Sequence, residues 1–170
     1  LKTYLQYANI GAILNPQLVE NFSPSRTFYV DTTVNGFYDG TVDHPINDIS
    51  ALTSIIYNQN LYSRTRDINI DIESNITLDV NFALWNCPAN LTINGNSHTI
   101  VTNGYDVNII NVNKLQMQYL TFNGTDNINI ESIPSLQLQN INSNITMNIR
   151  NSRGVALTCA NNTTPLFSNT

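Results

Sequence analysis

Two nearly identical segments set the pattern of the chain: LQMQYL at residues 115–120 and LQLQNI at residues 136–141. In both, apolar residues alternate with polar ones, which is the two-residue period of a β-strand with one buried face. Leu115 and Met117 are therefore predicted to point inward, and Gln116 between them outward. The alternation predicts strands that share one sheet.

The same phase recurs upstream and downstream of these segments. One inward position can be aligned in each repeat, at Ile70, Ile93, Met117, Leu138 and Leu157, with steps of 23, 24, 21 and 19 residues. Repeats of about 22 residues with short strands and Asn-Gly turns are typical of a parallel β-solenoid, whose coils stack about 4.8 Å apart. Since no coil can bury its apolar side alone, the pattern has to recur. The sequence predicts an all-β fold, a parallel β-helix of about five coils.

Two other architectures share part of this pattern. Leucine-rich repeats have a similar length, but their fixed LxxLxLxxN frame is absent from the chain. A β-sandwich with regularly spaced strands also fits the alternation, and it stays open as the alternative fold.

The segment before the repeats, FYVDTTVNGFYDGTVDHPINDISALTSIIYNQN, predicts a strand, a turn-rich loop and a short helix. The strand covers residues 27–31, and Asp48 or Ser50 can cap the start of the helix. The apolar stripe of the helix consists of Leu52, Ile55 and Ile56. The chain then divides into an N-terminal extension (1–26), the strand, loop and capping helix (27–66), and the coils with a C-terminal tail (67–170).

This region is similar to the beginning of the right-handed parallel β-helix proteins of the pectate-lyase-like superfamily. The shared features are a YV strand, a DGT…P loop, a capping helix and a coil ending like LTINGNSHTI at residues 91–100. The resemblance covers roughly residues 27–160 and implies the fold rather than an activity. The superfamily contains polysaccharide lyases, glycoside hydrolases, phage tailspikes, surface adhesins and purely structural solenoids.

Composition and charge narrow the range of partners. Of 170 residues, Lys and Arg supply 7 and Asp and Glu 12, for a formal net charge of −5. An acidic chain with few basic residues is a poor partner for nucleic acid or an anionic membrane. Asn is used heavily, but 41% of the residues are hydrophobic, which is enough to build a core.

The chain begins at Leu1 rather than Met, which is interpreted as processing on export and predicts an extracellular location. The opening LKTYLQYANIGAIL carries Lys2 and is shorter than the roughly 20 residues needed to span a bilayer. Seven Asn-x-Ser/Thr sequons are candidate N-glycosylation sites: Asn21, Asn75, Asn90, Asn123, Asn144, Asn161 and Asn162. The excess over chance is weak, because so Asn-rich a chain produces about five sequons at random.

Enzymes that cleave polysaccharides require acidic and basic side chains in particular arrangements, and the sequence contains few candidates for them. Glycoside hydrolysis needs two carboxylates about 5 to 10 Å apart. After Asp106, the only acidic residues of the chain are Asp126 and Glu131. The NGTD segment at 123–126 is interpreted as a turn. A lyase needs acids near an Arg or Lys base, yet Arg150 and Arg153 have no acidic cluster at matching places in neighbouring coils. No catalytic residues are predicted, and the expectation is a non-enzymatic protein.

Three groups of side chains have the chemistry of metal ligands but a simpler interpretation. They are the row Asp67, Asn69, Asp71 and Glu73, the loop residues Asp39, Asp43 and Asp48, and the histidines His44 and His98. The row alternates along one strand and is interpreted as a solvated outer face, while turn and cap positions explain the loop acids. The histidines lack Cys or acid neighbours at ligand spacing. No metal site and no cofactor is predicted.

Cys87 and Cys159 are the two cysteines of the chain. In the predicted register they are three or more coils apart, about 15 Å, whereas a disulfide needs Cα atoms within about 7 Å. Three interpretations stay open: two buried free thiols, an internal disulfide in a different register, or a cross-link between stacked subunits.

The ends of a solenoid expose backbone groups and apolar side chains that invite pairing with another chain. After VALTCA, the remaining NNTTPLFSNT contains no evident cap. The apolar segment LKTYLQYANIGAIL, residues 1–14, lies outside the repeats and is predicted to bind a neighbouring subunit. The residues of this predicted contact are Tyr4, Leu5, Tyr7, Ile10, Ile13 and Leu14. A contact of this kind that does not close builds a filament.

Together these patterns predict a secreted, non-enzymatic structural protein that assembles through its solenoid ends into an extracellular fibre or surface layer. Its main partner is then another copy of itself. The alternative is a glycan-binding adhesin or a viral receptor-binding spike, in which outward Gln, Asn and Tyr side chains meet sugar. A polysaccharide lyase or glycoside hydrolase is the least favoured hypothesis.

Overall fold

Two parallel sheets wind around a shared apolar core and form a β-solenoid of about four turns with one short helix. The computed structural model describes residues 25–36, 38–58, 67–154, 156–159 and 167–168. Every strand pairing among these residues is parallel. The predicted parallel β-helix is confirmed, and the sandwich alternative, which requires antiparallel sheets, is wrong.

The strands recur in the same order in successive coils. Sheet A contains, in spatial order, β1 (Ser25–Val30), β2 (Asp67–Ile72), β5 (Asn90–Asn94), β8 (Lys114–Asn123), β10 (Leu136–Ser143) and β12 (Ala156–Cys159). Two short strands, β3 (Ile76–Thr77) and β6 (Thr99–Val101), pair with each other, and β6 also pairs with the second half of β8. Sheet B contains β4 (Phe82–Trp85), β7 (Val107–Ile110), β9 (Ile128–Glu131), β11 (Met147–Arg150) and β13 (Phe167–Ser168). The helix, α1 (Ile49–Asn58), lies between β1 and β2 in the chain.

The predicted inward ladder is confirmed by the pairing register of sheet A. Backbone pairing joins the predicted positions in sequence order: Ile70, Ile93, Met117, Leu138 and Leu157. The first four side chains are at most 3% exposed, and that of Leu157 lies outside the described residues. One coil earlier, the fully buried Phe28 pairs with Ile70. The leading strand therefore belongs to the same sheet and extends the ladder.

The inward positions of sheet B build the opposite wall of the core. Val107, Ile128 and Met147 form a stacked column in which no side chain is more than 1% exposed. Burying one Leu, Ile or Val side chain contributes about 1.5–3 kcal/mol relative to leaving it in water. Because each side chain in a column touches the coils on either side of it, this burial holds the coils together.

Sheet A turns a corner within the long strand β8. Tyr119 has a φ of 52°, and Asn140, at the equivalent place in β10, also has a φ of 52°. In the preceding coil the corner is formed by Gly95, whose N–H donates to the carbonyl of Gln118 at 2.8 Å. A Cβ atom on Gly95 would lie 2.4 Å from the carbonyl oxygen of Tyr119. The close approach of the two backbones therefore requires glycine.

The helix α1 closes the N-terminal end of the core. Asp48 caps it, because its carboxylate accepts hydrogen bonds from both the N–H and the hydroxyl of Ser50 at 2.7 Å. Of the predicted apolar stripe, Leu52 and Ile56 are fully buried and Ile55 packs against the core. The helix contacts β1 and β4, so it covers the first strands of both sheets.

Candidate functional site

Side-chain amides stack outside the solenoid as apolar side chains stack inside it. Asn129 donates from Nδ2 to Oδ1 of Asn108 at 2.8 Å, and Asn148 donates to Asn129 at 3.0 Å. These residues hold equivalent positions in β7, β9 and β11, and we call the row the strand ladder. Asn111 donates to Asn86 at 2.9 Å in the turn after the strands, and we call this pair the turn ladder.

In the Asn–Asn and Asn–carboxylate bonds that join coils of the described chain, each Nδ2 donates toward the N-terminal end. The direction is fixed where a row ends on an ionised carboxylate, because that group only accepts hydrogen bonds. Asn90, for example, donates to Asp67 at 2.7 Å and accepts from Asn113 at 2.8 Å. The other pairs are Asn96 to Glu73, Asn127 to Asp106, Asn144 to Asn123 and Asn151 to Glu131. These bonds join polar side chains of neighbouring coils without ion pairs.

The turn ladder depends on a backbone conformation that asparagine tolerates well. Left-handed residues follow the ends of β4, β7, β9 and β11, with φ angles between 50° and 57°: Asn86, Asn111, Ser132 and Asn151. Asn adopts this region more readily than other residues with a Cβ atom. The N–H of Asn86 then donates to the carbonyl of Ile110 in the next coil at 3.0 Å.

A single tryptophan side chain stands out on sheet B. Trp85, the last residue of β4, is 50% exposed. Its backbone N–H donates to the hydroxyl of Tyr57 at 2.8 Å, and that hydroxyl donates to the carbonyl of Trp85 at 3.3 Å. The two rings lie 6.3 Å apart with a tilt of 59°. Tyr57 therefore attaches α1 to sheet B and satisfies backbone groups on the outer edge of β4.

The N-terminal edge of sheet A is covered by the loop at residues 38–48. The N–H of Tyr29 donates to the carbonyl of Gly40 at 2.9 Å, and the N–H of Ile46 donates to the carbonyl of Tyr29 at 2.8 Å. Ile46 also forms a parallel bridge with Val30. At the other end of the solenoid, β12 and β13 are the last strands of their sheets, and no strand of the described chain pairs with their outer edges.

The carboxylates of the turns act as hydrogen-bond acceptors. Asp126 accepts from the Thr102 hydroxyl at 2.7 Å and from the Gly104 N–H at 2.8 Å, and these bonds lower the pKa of Asp126 below its ordinary value. The pKa values of Asp31 and Asp39 are lowered in the same way by hydrogen bonds within their own turns. A general acid for glycoside cleavage needs the opposite shift. These three carboxylates therefore have the properties of structural acceptors.

The remaining candidate acids are distributed along the surface. NGTD at 123–126 begins with the last residue of β8 and continues into the connection to β9. The row that begins at Asp67 alternates outward along β2, as the sequence predicts. Glu131 lies opposite Arg150 in the register of β9 and β11, so one carboxylate does occupy the matching place beside this arginine. Within the described ranges, no group of three or more His, Cys, Asp or Glu side chains could hold a metal ion.

Cys87 is a free thiol in a core position. It is 1% exposed, and burial raises the pKa of its thiol to about 11. A thiol of this kind is weakly nucleophilic at neutral pH. The backbone of Cys159 pairs with Ile141 in the last strand of sheet A, while its side chain lies outside the described residues.

The described sequons differ in how their amide nitrogen is used. In Asn90 and Asn144, Nδ2 donates to the preceding coil. Asn75 and Asn123 are exposed, and their Oδ1 atoms accept hydrogen bonds from the Thr99 N–H and from Nδ2 of Asn144, respectively. Several candidates lie outside the described residues: the sequons Asn21, Asn161 and Asn162 and the assembly residues Tyr4, Leu5, Tyr7, Ile10, Ile13 and Leu14.

Comparison of the chain with known protein families, with curated proteins and with solved structures finds no match. The described helical residues include no stretch with the length and hydropathy of a membrane-spanning helix.

Two features of this surface, the strand ladder and the contact between Trp85 and Tyr57, were not predicted from the sequence. The strand ladder has a signal in the sequence, since Asn recurs at residues 108, 129 and 148 with steps close to the coil period. The contact between Trp85 and Tyr57 has none, because it joins a helix to a strand 28 residues away.

Proposed function

We propose that this chain is a non-enzymatic structural solenoid that assembles with copies of itself into an extracellular fibre or surface layer. The observation that carries the proposal is the difference between its two ends. At the N-terminal end, Tyr57 and the loop at residues 38–48 hydrogen-bond to the outer edges of β4 and β1. At the C-terminal end, no strand among the described residues covers β12 or β13.

An open strand edge presents unpaired N–H and C=O groups to which another strand can bind. The covered end of a second solenoid offers no equivalent open edge, so direct end-on stacking would not complete the pairing. An extended segment of a neighbouring subunit can do so by adding one strand to the sheet. The apolar residues 1–14 are the proposed donor. Fully extended, they would span about 46–50 Å, more than the four-residue strand β12 requires.

Donation from each subunit to the next is a heterologous contact, because donor and acceptor are different surfaces. A contact of this type produces a filament when its rotation does not close into a ring. Buried ladders and hydrogen-bonded amide rows suit a subunit that has to keep its shape within such an assembly.

The surface chemistry supports a structural role over a catalytic one. The pKa values of Asp31, Asp39 and Asp126 are lowered by hydrogen bonds in turns, which keeps these carboxyl groups ionised. The proposal includes a relationship to the structural members of the pectate-lyase-like superfamily. This part rests on the YV strand, the DGT…P loop and the capping helix described above.

Removal of residues 1–14 tests the donor role. The expected product is a folded monomer whose melting temperature equals that of the full chain diluted until it too is monomeric, because the segment would gain its burial, and stabilise its acceptor, only between subunits. Sedimentation velocity measures assembly, and circular dichroism measures the melt. A synthetic peptide of residues 1–14 should bind the truncated protein, whereas the same peptide with Leu5, Ile10 and Ile13 replaced by Ser should not.

Two outcomes would overturn the proposal. Undiminished assembly of the truncated protein would show that another surface joins the subunits. A lower melting temperature with unchanged assembly would show that the segment caps its own solenoid. The full-length chain carrying the same three Ser substitutions is the matched control, since it keeps the length of the segment and removes only its apolar side chains.

A further inference from the structure

The exposed tryptophan occupies a distinctive place on the outer face of sheet B. Half of the surface of Trp85 is open to solvent, although large aromatic side chains are mostly buried in folded proteins. In the next coil, its register partner is Ile110. On its other side, Tyr57 fixes the backbone of Trp85 through two hydrogen bonds. The backbone that carries the indole is thus bonded to the helix and paired with the next coil, while half of the Trp85 surface is open.

Both amide ladders on sheet B end beside this tryptophan. The turn ladder ends at Asn86, the residue after Trp85. The strand ladder ends at Asn108, which pairs with Ala83, two residues and roughly 6.6 Å before Trp85 along the strand. In both terminal amides, Oδ1 accepts from the next coil, and no group of the described chain accepts a hydrogen bond from Nδ2.

The ladders strengthen these terminal donors. In a row of hydrogen bonds with one direction, each bond polarises the next, so the first amide becomes a better donor than an isolated one. The strand ladder supplies two such bonds behind Asn108, and the turn ladder supplies one behind Asn86. Trp85 is thus followed in the chain by one ladder end, Asn86, and has the other, Asn108, two residues away in the register of the next coil.

We propose that Trp85, Asn86 and Asn108 form a binding site for an uncharged pyranose sugar. The apolar C–H face of the sugar ring would stack on the indole, and its hydroxyl oxygens would accept hydrogen bonds from the two amides. Outward positions of this face in β4 and β7 carry no charge, and charged residues begin with Glu131 and Arg150 in β9 and β11. A neutral ligand matches such a surface. The site is independent of the assembly proposed above.

Trp85 is the only tryptophan of the chain, so its fluorescence reports on the site directly. The probes are neutral oligosaccharides built from glucose, xylose, mannose and N-acetylglucosamine, each titrated into the full chain. The site predicts a saturable change in emission with at least one of them. Absence of saturable binding across the panel would overturn the proposal. A change that follows protein concentration instead of sugar concentration would assign Trp85 to a contact between subunits and would also overturn it.

Isosteric substitutions separate binding from folding. Asn108→Asp and Asn86→Asp keep the oxygen that accepts from Asn129 or Asn111 but replace the outward donor with an acceptor. Each should weaken binding of the responding sugar about two- to tenfold, the equivalent of one neutral hydrogen bond. Unchanged affinity in both variants would exclude the amides from the site.

Trp85→Ala removes the stacking surface, and its binding is measured by calorimetry because the fluorophore is lost. The expected result is no detectable heat of binding. Tyr119→Ala is the control, because Tyr119 is a similarly exposed aromatic residue, 41% accessible, on β8 of sheet A. It should bind sugar as the unmodified chain does. Loss of binding in the control, or retention in Trp85→Ala, would place the sugar elsewhere.

Discussion

The apolar ladder inside the solenoid and the amide ladders outside it use the same coil-to-coil stacking for different purposes. Inside, Ile93 and Met117 are removed from water and need only fit the space between their neighbours. Outside, Asn108 and Asn129 stay half-exposed and have to point a donor at an acceptor. The inner ladder therefore stabilises the fold by burying apolar surface area. The outer ladder contributes hydrogen bonds that require each amide to have one orientation.

The largest expected effect lies in the inner ladder. Leu138→Asp places a carboxylate among apolar neighbours at a site that is 3% exposed, and should cost several kcal/mol of unfolding free energy. Gln137→Asp, one residue away on the half-exposed outer face, should be nearly neutral. Urea unfolding followed by circular dichroism measures both. Equal midpoints for the two variants would contradict the assignment of faces.

The inner ladder could be predicted from the sequence because its residues are buried. Burial restricts Ile70, Ile93 and Leu138 to apolar side chains, so both the alternation and the coil period are visible in the sequence. The helix was predictable for the same reason, since Leu52 and Ile56 mark its buried face. Each of these signals is local and depends on only two classes of residue.

The outer surface could be predicted only in part. An outward position accepts Asn, Gln, Thr or Ser equally well as far as burial is concerned, so periodic Asn did not by itself indicate a ladder. The covered end was also hidden, because the bonds of Gly40 and Ile46 to Tyr29 depend on how the loop folds back over β1. The site beside Trp85 combines both difficulties, since two ladder ends and a helix meet there.

A smaller effect is expected in the middle of the strand ladder. Asn129→Ala removes one donor and one acceptor, and it leaves Asn148 and Asn108 without their partner in this row. Because the position is half-exposed and water can replace part of each bond, the expected loss is about 1–2 kcal/mol. Unfolding in urea at an unchanged m-value would measure it.

Gln139→Ala provides the matched control for this ladder variant. Gln139 is also half-exposed and points outward from sheet A, but its side chain has no hydrogen bond to the described residues. Its replacement should change the unfolding free energy by less than about 0.5 kcal/mol. If the Asn129 and Gln139 variants were equally stable, stacking of amides would contribute nothing to the solenoid.

The smallest expected effect is on the pH dependence of stability, through the Asp126 carboxylate, which accepts hydrogen bonds in a turn. Hydrogen bonds from the Thr102 hydroxyl and the Gly104 N–H lower the pKa of Asp126 in the folded protein. A folded-state pKa below the unfolded value of about 3.9 means that the group contributes its full stability above that pH. The contribution is lost as the pH falls through the lower folded pKa. Asp126 should therefore have no influence on the pH dependence of stability between about pH 5 and 7.

Thermal melting of the native chain and of Asp126→Asn, followed from neutral pH to below pH 4, tests this sign. The Asn variant should lose less stability on acidification, because it has no carboxylate to protonate. Thr102→Val removes the hydroxyl donor and should flatten the acid limb in the same direction, whereas Thr102→Ser keeps the donor and should retain the native slope. A steeper acid loss in Asp126→Asn would mean that the carboxylate opposes folding, the reverse of what its two hydrogen bonds at 2.7 and 2.8 Å require.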